Sequence, residues 1–393
     1  MSNNRLTLIF IGKGFRVFVF GFLSILIPIY LAQLGTPQFY IFIAIAAIIG
    51  GNIFSNVLLT WYGNLIGRRK ILLVFSVLML LSGILLFATT IYPVVLIACF
   101  LGNVSTTGTE AGPFQSVETG VLPNLVPEGR KISRYFGYYN LIGYAASSLG
   151  ALTASLPSYF KDSLSVFHLL FLAYGLVGLL LVVLYQAVGS SLESAAKKKA
   201  GLSEISERGK HNIRRLSALN FMDAFGGGFV SQSILSYWFY YVYHVTLADL
   251  GVIFLVASVL TGVSTLGASF IAEKLGNLRT MVYTHLLSNV FLIMIPLAGS
   301  LALSLAFLFA RQCVSQMDVP TRQAFMAEIF DSDDRVSANA ITNTFRSGAS
   351  ILGAPISGVF FAAGFVALPI LSGGFSKIAY DLAIFFAYRK EAR

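Results

Sequence analysis

Charge is scarce in this chain of 393 residues: 11% are Asp, Glu, Lys or Arg and 56% are hydrophobic, for a mean hydropathy of +0.78, whereas a soluble domain carries about a quarter charged residues. The scarcity excludes water as the main solvent. Histidine is rarer still, and His168, His211, His244 and His285 are scattered without ligand spacing, which excludes a metal centre and the paired bases of a polytopic membrane enzyme. Cys99 and Cys313 lie inside apolar runs and read as small core residues, not as a disulfide. No Gly-rich phosphate loop ending in Lys and Ser or Thr is present, so ATP does not drive the protein directly, and no cofactor is expected. The start, Met1 to Arg5, is short and polar and runs into a long apolar stretch without a cleavage site, so the first helix is expected to serve as its own insertion signal.

What is abundant is long apolar sequence. A bilayer crossing takes roughly 20 apolar residues as helix, because every backbone N–H and C=O must be paired within its own segment. Apolar runs punctuated by Gly, Pro and charge predict helices near 6–33, 38–62, 70–90, 93–121, 132–157 and 164–187, then 214–243, 247–272, 280–299, 301–328, 336–363 and 367–388. The expected fold is therefore all-α and integral to the membrane, with residues 1–187 as one six-helix bundle, 188–213 as a linker and 214–393 as a second bundle. In the linker Lys197, Lys198, Lys199, Arg208 and Lys210 alternate with Ser and Glu, which marks a solvated topology signal and not a nucleic-acid site. Of the 27 Lys and Arg, only Lys161 falls in an outer loop; Lys13, Arg16, Arg311, Arg322, Arg346 and Lys377 lie within spans and the rest collect on one side. The positive-inside rule makes that side cytoplasmic, with both termini and the linker, and the cell membrane is the expected location. The net charge of +10 is thus mostly topology.

The chain repeats itself. A shift of 207 residues superposes Phe18, Gly21, Phe22 and Ser24 on Phe225, Gly228, Phe229 and Ser231, Tyr30 on Tyr237, and Pro113 on Pro320. A shift of 203 pairs Asn140 with Asn343 and Gly150 with Gly353. Duplicated six-helix halves suit a carrier whose site lies at the midplane and is exposed alternately as the halves rock.

The loop after the second span reads Gly63-Asn-Leu-Ile-Gly67-Arg68-Arg69-Lys70, and its counterpart reads Ala272-Glu273-Lys274-Leu-Gly276-Asn-Leu-Arg279. Both resemble the acid, base, Gly, base loop of the major facilitator superfamily, and with the six-plus-six layout the resemblance covers the whole chain. The first copy departs from the pattern, with Asn64 at the acid position and Leu65 where a base is usual; Glu273 keeps the acid in the second. The stretch Arg311 to Gln323 with Ser337 to Asn343 is similar to helices 10 and 11 of an exporter-like branch, although the Gly-Pro signature of drug antiporters is missing between Asn140 and Leu152. The resemblance implies the major facilitator fold, two pseudo-symmetric bundles of six helices, and it assigns Arg68, Arg69, Glu273 and Arg279 to gating at the cytoplasmic loops.

It also implies that helices 1, 4, 7 and 10 line the central cavity, and the buried charges concentrate there: Lys13 and Arg16, Glu110 and Glu118, Asp223, and Arg311, Asp318, Arg322 and Glu328. At about 1.5 Å per residue, Arg16 and Arg311 lie roughly 15 Å deep, near the midplane, with Asp223 similarly deep. Glu118, Arg322 and Glu328 lie near helix ends, where side chains reach the interface. Arg16 and Asp223 are repeat counterparts of opposite sign, which suggests a pair across the cavity or two ends of a substrate site. Substrate contacts are expected from Arg16, Asp223, Arg311, Asn140 and Asn343, the arginines offering a fixed fork to a carboxylate or phosphate on an organic anion. Proton coupling is expected from Glu110, Asp223 and Asp318, since desolvation favours the protonated form of a carboxylate.

The expected function is secondary active transport of a small organic solute, coupled to protons, by a monomer surrounded by membrane lipid. A sensor or facilitative channel-like carrier on the same fold is the alternative, and a membrane enzyme lacks the residues it would need.

Overall fold

Backbone amides in lipid have no water to bond, so helix is the open-chain solution, and every regular element among the described residues is helical. The computed structural model describes residues 2–109, 112–126, 132–161, 163–188, 207–330, 342 and 345–389. In chain order these form α1 (Ser2–Gln33), α2 (Gln38–Ile66), α3 (Arg68–Ala88), α4 (Tyr92–Leu101), α5 (Pro113–Leu125), α6 (Ile132–Thr153), the single turn α7 (Leu156–Tyr159) and α8 (Leu164–Val188). There follow α9 (Glu207–Gly228), α10 (Gln232–Tyr243), α11 (Leu247–Leu275), α12 (Asn277–Leu297), α13 (Leu301–Gln312), α14 (Asp318–Ile329), α15 (345–350), α16 (Gly353–Ala362) and α17 (Leu368–Tyr388). They make twelve crossings, of which α1, α2, α3, α8, α11, α12 and α17 are long and apolar enough to span alone.

The fourth, seventh, tenth and eleventh crossings differ from expectation. Each was expected as one helix and each is a pair: α4 with α5, α9 with α10, α13 with α14, and α15 with α16. The fifth also ends early, at Thr153. The causes are local. Helix 4 loses its pattern at Gly102, where Asn103 and Gly108 take positive φ (52° and 70°), and it restarts at Pro113, whose missing N–H costs nothing in a first turn. Helix 7 stops at the run Gly226-Gly227-Gly228, and helix 10 restarts at Asp318 with Pro320 in the first turn of α14.

The chain divides into two compact units, 1–199 with 232–255, and 200–231 with 256–393. In the first, α1 packs along α6 and α8, α3 along α8, and α10 against α1 and α2. α8 shows the inside-out logic of a lipid solvent: Phe167, Phe171, Tyr174, Leu181 and Tyr185 are buried on one face, while Leu169, Leu176, Leu179 and Val183 stand exposed on the other. In the second unit α12 packs on α17, and Leu216, Met281, Phe325, Ile384 and Tyr388 form its core.

The sequence repeat has a structural counterpart. In the first unit a Cβ on Gly21 would strike the Ser147 carbonyl at 2.5 Å and the Gly150 Cα at 3.1 Å; in the second, a Cβ on Gly228 would strike the Ser350 carbonyl and come within 3.1 Å of the Gly353 nitrogen. The same small residues, offset by the repeat shifts, let helix 1 meet helix 5 and helix 7 meet helix 11 backbone to backbone. Gly67 and Gly276 likewise open α3 and α12 with φ of 89° and 81°, a conformation that the two family-like loops require of glycine.

Candidate functional site

A broken helix inside a membrane exposes carbonyls that other side chains must satisfy. Around the break in helix 4, Asn52 Nδ2 on α2 donates to the Val104 carbonyl (2.6 Å), Ser147 Oγ on α6 to Gly108 (2.7 Å), and Tyr174 OH on α8 to Gly102 (2.5 Å). The backbone N–H of Ser233 donates to Thr106 (3.0 Å), and Gln232 Nε2 donates to Ser24 Oγ (2.9 Å), so the start of α10 is tied to the break and to α1. The unwound segment is therefore fixed by four helices, α2, α6, α8 and α10. Among the described residues, Asn52 Oδ1 and Asn103 Oδ1 have no hydrogen-bond partner.

Below this break the first unit holds a closed charge cluster. Arg16 on α1 donates through Nη1 and Nη2 to Glu118 on α5 (3.1 and 2.6 Å), and both side chains are fully buried. Tyr139 OH (2.8 Å) and Tyr185 OH (2.5 Å) also donate to Glu118, the Phe114 ring lies 4.6 Å from the guanidinium, and Lys13 Nζ sits 3.9 Å from the Tyr139 ring centre. Glu118 is thus a buried partner, not a side chain reaching the interface. The suggestion that Arg16 and Asp223 pair with each other gives way to separate partners within each unit, and Arg16 has both amino groups engaged.

The second unit holds a larger, more open cluster. Asp223 on α9 is buried and bonded by Lys377 Nζ of α17 (2.7 Å), Arg346 of α15 (3.2 Å) and Arg322 of α14 (3.3 Å). Asp318 holds the other arm of Arg322 at 3.1 Å, one helical turn away. The Arg346 side chain is 37% exposed, against 16% for Arg322 and 11% for Lys377. Behind Asp223, His285 Nε2 of α12 lies 3.7 Å away; its Nδ1 is 2.6 Å from Asp381 on α17, whose second oxygen accepts from Asn289 Nδ2 at 2.9 Å. His285 and Asp381 are 96 residues apart and carry no local motif, so the pair is not visible in the sequence.

Of the remaining predicted residues, Arg311 lies at the end of α13 beside the helix break, with Nη1 on Gln312 and a buried Nε that has no partner among the described residues. Asn140 is exposed on α6. Arg68 and Arg69 at the start of α3 donate to the carbonyls of Gly120 (3.5 Å) and Gln186 (3.3 Å), near the C-terminal ends of α5 and α8 where a cation is favoured. Glu273 and Arg279 are exposed on either side of Gly276. Glu110 and Asn343 lie outside the described residues, as does the side chain of Glu328. A cavity of about 600 Å³ lined by Gln33, Tyr240, Tyr241, His244 and Leu247 holds none of these clusters.

Twelve crossings in two matching sets, with interrupted helices and buried charge on the interrupted ones, define a membrane transporter of the two-repeat class. Within that class the chain belongs to the Major Facilitator Superfamily, whose sequence profile it matches over residues 9–353. It is 21% identical to an uncharacterized membrane protein of Saccharomyces cerevisiae, over 98% of this chain and 94% of the relative. Among solved structures it is similar to a D-xylose–proton symporter (TM-score 0.74, 16% identity, 96% of this chain and 97% of that one). It is also similar to the nucleoside transporter NupG (0.74, 13%, 98% and 99%) and to a bacterial homologue of the iron transporter ferroportin (0.71, 12%, 98% and 98%). At these identities the structural likeness establishes the fold.

Proposed function

We propose that the protein is a proton-coupled secondary transporter that moves a small organic solute bearing an anionic group. The observation that carries this reading is the cluster on Asp223, where Lys377, Arg322 and Arg346 converge on one carboxylate. Three cations in a low-dielectric interior are costly unless countered, and Asp223 and Asp318 supply two charges in direct contact. Arg346, the most exposed of the three, is the one able to exchange Asp223 for a carboxylate or phosphate on the cargo. Arg311, with a buried N–H that has no partner among the described residues, is a second donor for the same group, while Asn140 and Asn343 serve its neutral part. Asp223 and Asp318, with Glu110 of helix 4, are the carboxylates through which protons couple. Arg16, locked on Glu118, then acts by holding helices 1 and 4 together.

Alternating access follows from rocking of the repeats 1–187 and 214–393 about the linker, with Arg68, Arg69, Glu273 and Arg279 at the cytoplasmic latch. The lysine and arginine distribution favours cytoplasmic termini and insertion in the cell membrane, and one site per chain makes a monomer sufficient. Solved relatives of this fold include a D-xylose–proton symporter and a nucleoside transporter, which agrees with a small polar organic cargo.

The test is uptake into proteoliposomes under an imposed pH gradient, across a panel of organic anions, sugars and lipophilic cations. Gradient-driven accumulation of an organic anion, lost in Asp223→Asn, is the expected result. Accumulation of a sugar or cation and of no anion refutes the anionic cargo.

A further inference from the structure

The three groups behind the proposed cargo site stand in a line: Asp381, the His285 ring and Asp223. Two gaps separate them, 2.6 Å at Nδ1 and 3.7 Å at Nε2. A neutral imidazole carries one N–H and fills one gap with a donor. The other gap then sets a nitrogen lone pair against a carboxylate oxygen, or needs a protonated carboxyl. One added proton lets the imidazolium donate to Asp381 at 2.6 Å while it faces Asp223 as an ion pair at 3.7 Å. The line thus has a place for a single exchangeable proton, and Asn289 fixes its far end by donating to the second oxygen of Asp381 (2.9 Å).

Charges facing His285 come from every packed element described. α17 brings Asp381, Lys377 and Tyr380, whose ring stands edge-on to the imidazole at 6.0 Å; α9 brings Asp223; α14 brings Arg322 and Asp318; α15 brings Arg346 on Asp223; α13 brings Arg311. Leaving out Arg311, which bonds Gln312, the three acids Asp223, Asp318 and Asp381 balance Lys377, Arg322 and Arg346 while His285 is neutral. A proton on His285 leaves the group one positive charge in excess. It also gives Asp223 a further cationic donor, in competition with Arg346.

The geometry points to His285 and Asp381 as a one-proton binding site on helices 9 and 12, whose occupancy loosens Arg346 from Asp223 and so prepares it for the anionic group of the cargo. This rests on the anionic-cargo reading above for its second half, and on the His285 geometry alone for its first. The proton comes from water and returns to it when the imidazolium gives it up; no bond other than N–H is made or broken. By linkage the anion must in turn raise proton affinity by the same factor, which couples one proton to one negative charge.

Histidine-selective nitrogen NMR of the full chain in micelles tests the first half without any cargo. His285 is assigned from the signal missing in His285→Gln, and His168, His211 and His244 serve as internal references. The expected result is that the His285 ring nitrogens change protonation state as pH is varied over the range in which the protein stays folded, and that Asp381→Asn displaces this change along the pH axis. A His285 that keeps one protonation state throughout, or that titrates identically in Asp381→Asn, overturns the site. The second half is read with the cargo found by the uptake panel. His285→Gln should make cargo affinity independent of pH and lose gradient-driven accumulation at least tenfold; undiminished accumulation overturns the coupling. If the panel finds no cargo, the transport reading and the coupling fall together, while the imidazole titration still decides the proton site.

Discussion

Neutralising Glu118 should unfold the first unit well before it alters any transport step. In Glu118→Gln the carboxylate that accepts from both Arg16 amino groups and from Tyr139 and Tyr185 becomes an amide with one acceptor oxygen. Arg16 then remains fully buried without a counter-charge. Breaking one side of a buried ion pair costs about 3–5 kcal/mol, a factor on the order of a thousand in the ratio of folded to unfolded protein. For a unit of this size the melting temperature falls by on the order of 10 °C. Arg16→Gln should do comparable harm, because Glu118 is then the stranded charge. Arg16→Met/Glu118→Gln removes both charges and leaves an acceptor for one tyrosine, so it should recover to within about 2 kcal/mol of the parent. Thermal unfolding in micelles, followed by intrinsic fluorescence and by retention of the monodisperse peak, measures all three. Single variants that lose under about 1 kcal/mol, as an exposed pair would, or a double variant as unstable as the two singles combined, would refute the reasoning.

Other positions give independent checks. Gly228→Ala or Gly353→Ala pushes a methyl into facing backbone and should cost about 1–3 kcal/mol in the second unit, whereas Gly137→Ala, with no atom within 4 Å of the added carbon, should be neutral or gain about 0.5–1 kcal/mol; the same unfolding assay separates them. Asn52→Leu strands the Val104 carbonyl at the helix 4 break, so a loss of about 1–3 kcal/mol is expected, together with faster amide hydrogen exchange in residues 103–109. Arg346→Gln should leave the fold intact and weaken an anionic cargo by about 1.5–3 kcal/mol, roughly ten- to a hundredfold in equilibrium binding. Unchanged affinity removes Arg346 from the site.

Much of the architecture is legible before any coordinates because the lipid imposes it. Apolar runs of fixed length have few alternatives to helix, and the repeat of Gly21 and Gly150 in Gly228 and Gly353 records a packing contact that tolerates no side chain. The interruptions are harder to read. The run Gly102 to Thr109 is rich in Gly, Ser and Thr, which costs helix propensity without forbidding helix, and the donors that meet it, Asn52, Ser147, Tyr174 and Ser233 from four other helices, decide that it unwinds. The charge clusters are harder again. Depth estimates locate Arg16 and Asp223 in their spans, yet pairing depends on rotation about each helix axis. That is why Glu118 is misplaced at the interface and why His285 and Asp381 carry no signal until helices 9 and 12 lie side by side.

Set against each other, the two clusters are copies with reversed polarity. In the first repeat an arginine on helix 1 meets a carboxylate on helix 4, and in the second a carboxylate on helix 7 meets an arginine on helix 10. Duplication of one ancestral helix pairing accounts for the shared position, and the differences indicate how labour is divided. The first pair is matched one to one, sealed from solvent and held by two tyrosines, so any motion that separates its charges meets the full desolvation penalty. The second has gained Lys377 and Arg346 from helices 12 and 11, which share one carboxylate, and one of them is part exposed. An acceptor with three competing donors can change partners at little cost, since each release is offset by the donors that remain. A carrier needs one half to keep its shape while a site elsewhere exchanges ions. The sealed pair suits the strut, the crowded carboxylate suits the exchange, and mutations that shift pH dependence or cargo affinity without loss of fold should therefore fall almost entirely in the second repeat.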